Sequence, residues 1–236
     1  MSDQQPPRLY FRQLLSGRDF AAGNPLAEQM VNFTYAIGDR ETGECVLVDP
    51  AYDPAALVDV VAADGMRVTG VLASHYHADH VGGSIFGHDI AGVAELLERV
   101  DCPVHVQADE VEWIVRTTGL GHDQLVGHRS GDVVSVGDLA VELVHTPGHT
   151  PGSQCFLVRD PDGGKLVSGD TLFLDGCGRT DLPGSDPAQM VASLRRLQQM
   201  PDDVILYPGH RYSAASYATM GAVKASNWVF DQLAGA

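Results

Sequence analysis

Within six residues, His75-Tyr76-His77-Ala78-Asp79-His80, the chain places three imidazoles and a carboxylate. Neutral imidazole nitrogen and carboxylate oxygen are the donors that zinc, iron and manganese accept. His75 and His77 lie two apart, and alternate side chains of extended backbone point the same way, so both can reach one ion. Asp79 and His80, past the turn, can face a second. Three further positions repeat the theme: His149 in His145-Thr146-Pro147-Gly148-His149, Asp170 in Ser168-Gly169-Asp170-Thr171, and His210 in Tyr207-Pro208-Gly209-His210. A lone histidine of this kind is more often a core or surface residue. Three strand-end sites beside one six-residue cluster point to a metal centre. Two ions roughly 3.5–4 Å apart can share a water and lower its pKa towards neutrality. The bridging hydroxide then attacks a carbonyl, and no Ser or Cys nucleophile is needed.

These residues need strands that end together. Val68 to Ala73 reads as an apolar strand that delivers the chain to His75, and α/β sheets place their sites at such C-terminal strand ends. Phe33–Gly38 and Cys45–Val48 read as a hairpin around residues 39–43. Asp53-Pro54 opens a helix as N-cap and first turn, running to about Ala63 with Gly65 past its end. Helices are predicted at 90–100, 108–117, 186 onward and 214–233, and short strands at 104–106, 133–136, 139–144, 155–158, 166–168 and 204–206. Pro161-Asp162-Gly163-Gly164 reads as a hairpin turn, and the first 30 or so residues read as loop. Strand pairs recur on both sides of the midpoint, which suggests two sheets packed face to face with helices outside. No Gly/Ser/Pro linker separates the halves, so residues 1–236 read as one α/β (α+β) domain.

Composition narrows the partners. The 236 residues carry 15 Lys+Arg against 31 Asp+Glu, a net charge of −16, and 44 % are apolar. That apolar content supports a packed core, and the charge argues against nucleic-acid or anionic membrane surfaces. No apolar run is long enough to span a bilayer, and Met1–Arg12 lacks an apolar signal core. The expectation is a cytoplasmic monomer or homodimer with a small-molecule partner. Cys45, Cys102, Cys155 and Cys177 are scattered without a CxxC and read as reduced and mostly buried.

The ordered set HxHxDH, TPGHTPGS, GDTLF and PGH, spanning about Asn32 to His210, resembles the metallo-β-lactamase superfamily. The resemblance implies a four-layer αββα sandwich. It implies one ion held by His75, His77 and His149, another by Asp79, His80 and His210, and Asp170 bridging the two. Asp79 and Asp170 become the catalytic carboxylates, with Asp79 placed to handle the leaving-group proton. Two divalent ions are implied, zinc first, with iron or manganese in its place.

The segment Gly169 to Asp181, with Gly176-Cys177-Gly178-Arg179, is similar to glyoxalase II and to the persulfide dioxygenases. The first comparison implies hydrolysis of a small thioester or ester of a thiol-derived substrate. The second implies a single Fe(II) held by His75, His149 and Asp170, with the other residues orienting them. Arg179 matches the basic residue near the glutathione site, and an Arg on a Gly-rich loop suits a substrate carboxylate; pairing with Asp175 or Asp181 is the plainer role. Tyr212 matches a substrate-side tyrosine of glyoxalase II. Of that enzyme's C-terminal helical extension only Lys224 and Asn227 are echoed here, which counts against a glutathione thioester. A non-catalytic metal sensor is disfavoured, because closed structural zinc sites use about four ligands. The 68 residues between His80 and His149 hold a segment, 84–130, expected as an insertion forming a lid or pocket wall, with Trp113 its pocket-lining candidate. His88, His105, His122 and His128 are expected at the surface, His145 is no ligand, and Tyr76 and Cys177 are expected to pack.

Overall fold

The computed structural model describes residues 7–85, 87–161 and 163–234. The first sheet is built from β1 (Leu9–Leu15), β2 (Phe33–Asp39), β3 (Glu44–Val48) and β4 (Arg67–Leu72). A small hairpin, β5 (Gly83–Ile85) with β6 (His88–Ile90), stands apart, and β7 (Val104–Gln107) and β8 (Leu125–His128) complete the first sheet in the order β1-β2-β3-β4-β7-β8. The second sheet contains β9 (Val133–Val136), β10 (Leu139–His145), β11 (Gln154–Asp160), β12 (Gly163–Val167), β13 (Ile205–Tyr207) and β14 (Ala218–Thr219), ordered β14-β13-β12-β11-β10-β9. The helices are α1 (Pro25–Met30), α2 (Pro54–Ala63), α3 (Ala78–Val81), α4 (Val93–Leu97), α5 (Val111–Thr118), α6 (Pro187–Gln198), α7 (Met220–Ser226) and α8 (Trp228–Ala234).

Period-two alternation sorts the buried side chains into three layers. Phe33, Tyr35 and Ile37 of β2 face Val141, Leu143 and Phe156 of the second sheet across the middle of the sandwich. Ala36, from the opposite face of β2, joins Leu57 and Val61 of α2, Leu96 of α4 and Ile114 of α5 in an outer core. Met190, Leu194 and Leu197 of α6 close the other side with Leu206, Val223 and Phe230. This is the αββα arrangement. α2 and α6 are both opened by an Asp cap and a Pro: Asp53 accepts from Ala56 N at 2.9 Å, and Asp186 accepts from Ala188 N at 2.8 Å.

Several elements depart from the sequence expectation. The stretch read as loop contains β1, which pairs with β2 along its whole length, and α1, capped by Asn24. Arg12 and Gln13 break the apolar pattern of β1 because each has a polar partner: Arg12 pairs with Asp64, and Gln13 donates to Tyr35 Oη at 3.0 Å. The helix read over 90–100 is only α4, and the 108–117 helix starts as a 3₁₀ turn at Ala108–Glu110. The helix read over 214–233 is divided into β14, α7 and α8. Asn227 interrupts it with extended backbone, and its side chain serves another loop. Residues 1–6, and Asp162 of the 161–164 turn, lie outside the described residues.

The segment 84–130 continues the first sheet as β7 and β8 and buries Leu96 and Ile114 in the outer core. His88 and His122 are exposed as expected, but His105 and His128 are half-buried and bonded to each other at 2.8 Å across β7 and β8. Parallel register sets His105 opposite Val126 and Gln107 opposite His128, two residues along, so both rings share one face of the sheet. All four thiols are free; Cys45 and Cys155 are buried, Cys102 and Cys177 half-buried. No helix among the described residues is long and apolar enough to cross a membrane.

Phe156 is fully buried between the sheets. Phe156→Ala is expected to cost about 3–5 kcal/mol of stability, read as a lower midpoint at unchanged slope in denaturant unfolding. A loss under 1 kcal/mol would show that the two sheets do not share a tightly packed core.

Candidate metal centre

Every residue of the centre leaves the end of a strand. β4 runs on through Ser74 to His75 and His77, then α3 carries Asp79 and His80. The β10–β11 connection supplies His149. The loop after β12 supplies Asp170, and the one after β13 supplies His210. Gly209 is required there: a Cβ on it would lie 2.4 Å from Asp170 Oδ1.

The donor atoms fall into two clusters. His75 Nε2 lies 3.1 Å from His77 Nδ1, and His149 Nε2 lies 3.0 Å from the same atom. His80 Nε2 and His210 Nε2 are 3.1 Å apart, with Asp79 Oδ2 at 3.5 and 3.4 Å from them. Both triplets are compact enough to hold a metal ion. Asp170 stands between: its Oδ1 is 3.5 Å from His80 Nε2, and its Oδ2 is 3.3 Å from His210 Nε2 and 3.7 Å from His149 Nε2. Buried Asp170 Oδ1 has no hydrogen-bond partner.

The far side of four of the five rings is pinned. His80 Nδ1 donates to Asp49 Oδ2 at 2.9 Å, His149 Nδ1 to the carbonyl of Arg179 at 2.8 Å, and His210 Nδ1 to the carbonyl of Met30 at 2.8 Å. Ser74 gives its hydroxyl proton to Asp49, so its oxygen accepts from His75 Nδ1 at 2.9 Å. Neutral rings fixed in this way aim four Nε2 lone pairs into the centre. Tyr52 donates to Asn32 Oδ1 at 2.9 Å, and Asn32 Nδ2 in turn donates to Asp79 Oδ2 at 3.0 Å. The third compact triplet, Asp49 with His75 and His80, is a different case: Asp49 is occupied by Ser74 N, Ser74 Oγ and His80 Nδ1, and serves to orient.

Titration reflects the crowding. Burial, then the neighbouring rings, lower His75 well below its ordinary value. Burial and His149 bring His77 down to about 4. For His80 burial works downward, yet Asp79, Asp170 and Asp49 outweigh it and raise the ring to about 10. Burial opposes ionisation of Asp170, but His210 and His80 hold it well below the usual carboxylate range.

A cavity of about 790 Å³ opens over the centre, lined by His77, His149, Asp170 and His210 and walled by Tyr76, Ile85, Phe173, Tyr212 and Trp228 among others. Arg179 and Tyr212 both line it. The Arg179 guanidinium meets Asp181 through two bonds of 2.9 Å, and Tyr212 stacks on His210 at 4.8 Å and 5°. Cys177 packs as expected but also lines the cavity. Of segment 84–130, Ile85 reaches the cavity; Trp113 backs it instead, stacked on Tyr76 at 4.8 Å. Lys224 is committed to Asp202 and the carbonyl of Met200. Asn227 holds the Phe173–Gly176 loop, accepting from Gly176 N and donating to two carbonyls.

The sequence reading missed Asn32, Asp49 and Glu110. Asp49 follows an apolar strand before Pro50, the same strand-end signal used for the histidines. Asn32 and Glu110 carry no comparable signal. Glu110 is 1 % exposed, and burial raises it to about 7 despite bonds from Thr150, Tyr76 N and Gly152 N. A folded value above the ordinary 4.5 favours the neutral acid in the fold. The stability it confers is complete below pH 4.5 and is lost as pH rises through 7. The stability of wild type minus that of Glu110→Gln, from denaturation at each pH, is expected to fall on the order of 2–3 kcal/mol across that window. A difference independent of pH would refute the shift.

Residues 29–210 match the family described as the metallo-beta-lactamase superfamily. A hydroxyacylglutathione hydrolase of Rhodopseudomonas palustris is 37 % identical over 185 residues, which cover 78 % of this chain and 64 % of that protein. The chain thus spans just under two thirds of that relative's length. Among solved structures, ETHE1 from Myxococcus xanthus aligns with a TM-score of 0.72 at 29 % identity, covering 96 % of this chain and 85 % of that one. TTHA1623, solved in a di-iron-bound form, aligns with a TM-score of 0.64 at 31 % identity, covering 84 % and 94 %. Fold, motif order and profile agree, and the chain belongs to the metallo-β-lactamase superfamily.

Proposed function

We propose that this protein is a binuclear metallo-hydrolase of a small thioester. The observation that carries the reading is the pair of compact donor triplets on either side of Asp170, whose buried Oδ1 lacks any hydrogen bond. Converging ring nitrogens and carboxylate oxygens fit divalent cations, and zinc, iron and manganese all accept this donor set. His75, His77 and His149 would hold one ion; Asp79, His80 and His210 would hold the other; Asp170 would bridge. When bound, such a pair lowers the pKa of a shared water and polarises a substrate carbonyl.

The chain's own residues supply the rest. Asp49, Ser74 and the carbonyls of Met30 and Arg179 keep the rings in one tautomer and orientation. Asp79, fixed by Asn32, is the carboxylate placed to accept a proton from the attacking oxygen and pass it to the departing thiolate. Phe173, Tyr212 and Trp228 give the substrate body an apolar wall, and Arg179 at the mouth offers a carboxylate its guanidinium in exchange for Asp181. The 37 % identical relative is named for a glutathione thioester, which makes that compound the first substrate to try.

Elemental analysis of untagged protein is expected to give about two divalent ions per chain. Asp170→Asn is expected to lower kcat/KM on thioesters about 10³-fold, the scale of losing a preorganised charge at a reacting centre. Full activity and full metal content in that variant would overturn the site assignment. About one iron per chain, with oxygen uptake on a persulfide and no thioester turnover, would transfer the function to an iron dioxygenase using His75, His149 and Asp170.

A further inference from the structure

We propose that Glu110 is a positioning residue for the His75/His77/His149 half of the centre, a side chain that ties together the two loops carrying those rings. The inference rests on the metal-centre reading above. Glu110 ends the 3₁₀ turn after β7 and touches none of the three histidines. Its Oε1 accepts from Tyr76 N at 2.8 Å and from Thr150 Oγ1 at 2.7 Å, and its Oε2 accepts from Gly152 N at 2.6 Å. Tyr76 N lies in the backbone between His75 and His77. Thr150 follows His149 directly. Each contact is therefore close along the chain to a metal-facing ring, on loops more than 70 residues apart in sequence.

Two observations show that the site is built around a carboxylate. A Cβ on Gly152 would lie 2.5 Å from Glu110 Cβ and 2.6 Å from its Oε2, so the second loop approaches only because residue 152 has no side chain. Three donors converge on two oxygens, which an ionised carboxylate can accept and an amide cannot. In Gln one oxygen becomes an NH₂ group, which would face an N–H or O–H donor and leave it unmatched. Burying a carboxylate is costly unless such donors compensate it; burial pulls the Glu110 pKa upward and the three bonds pull against it, so all three are accepted by the ionised form above about pH 7. The same element braces the cavity: Trp113 stacks on Tyr76, whose hydroxyl donates to the carbonyl of Pro183 at 2.9 Å. Glu110 thus fixes the backbone of Tyr76 while Trp113 fixes its ring.

The test is zinc binding to the metal-free chain, measured by competition with a chromophoric chelator, for wild type, Glu110→Gln and Thr150→Val. Wild type is expected to show two sites. Glu110→Gln is expected to weaken one of them about 10–100-fold, the usual scale for groups that orient ligands, and to leave the other unchanged. Thr150→Val, which keeps two of the three bonds, is expected to weaken the same site by less. In a His149→Ala background Glu110→Gln should add no further loss, because the half-site it positions is already broken. Melting of the metal-free variants reports whether they fold. If Glu110→Gln does not fold, Thr150→Val decides alone. An unchanged isotherm in a folded variant, or equal weakening of both sites, would overturn the role of Glu110. A wild type that binds no zinc would overturn the metal reading instead.

Discussion

Five imidazole nitrogens and two carboxylates are driven into one buried space, and the rest of the structure answers that constraint. Donor atoms 3.0–3.5 Å apart repel one another unless a positive charge lies between them. The metal-free chain can meet this only by protonating: Asp79, Asp170 and Asp49 hold a proton on His80 up to about 10, while burial and nearby rings strip His77 down to about 4. Neighbouring rings are thus pushed in opposite directions, and the Asp170 oxygen beside them has no hydrogen bond; a cation between the triplets would answer both.

Holding these atoms together takes both sheets. The middle core locks the sheets through Tyr35, Leu143 and Phe156, so strand ends from either side can converge. Rigid strands alone would leave the loops free. A layer of outward-facing bonds removes that freedom: Asp49 and Ser74 behind His75 and His80, main-chain carbonyls behind His149 and His210, Asn32 behind Asp79, and Glu110 behind the two loops of the first triplet. Several of these acceptors are backbone carbonyls. The orientation of His149 therefore depends on the path of the chain at Arg179, whatever side chain stands there.

This division explains what the sequence could disclose. The convergence of His75, His77, Asp79, His80, His149, Asp170 and His210 was legible because few residue types offer such donors and because each follows a strand pattern. The sandwich was legible because its strands alternate cleanly and α2 and α6 carry Asp-Pro starts. The supporting bonds were not. A carbonyl can come from any residue, and Glu110 stands in an unremarkable Ala-Asp-Glu turn whose partners are distant in sequence. The strand β1 was hidden by Arg12 and Gln13, whose partners, Asp64 and Tyr35, no local pattern reveals. The C-terminal helix was read too long because Asn227 leaves helical geometry to hold the Phe173–Gly176 loop.

That loop shows how the site separates what is fixed from what can vary. The floor is buried: His75, His80 and His210 are at most 2 % exposed. The mouth is open, with Tyr212 59 % and Trp228 48 % exposed and the Arg179 side chain 68 % exposed. An ion pair as exposed as Arg179–Asp181 holds its partner weakly, so another anion can displace Asp181 at little cost. A floor residue cannot shift without disturbing several bonds at once. Substitutions at the mouth can therefore change what the cavity holds while the floor remains the same, and this is the physical reason loops on a rigid scaffold carry specificity. Asn227 links the two regimes: buried itself, it anchors from α7–α8 the loop that carries Phe173 to the cavity wall, so the last helices shape that wall without lending a donor to the centre.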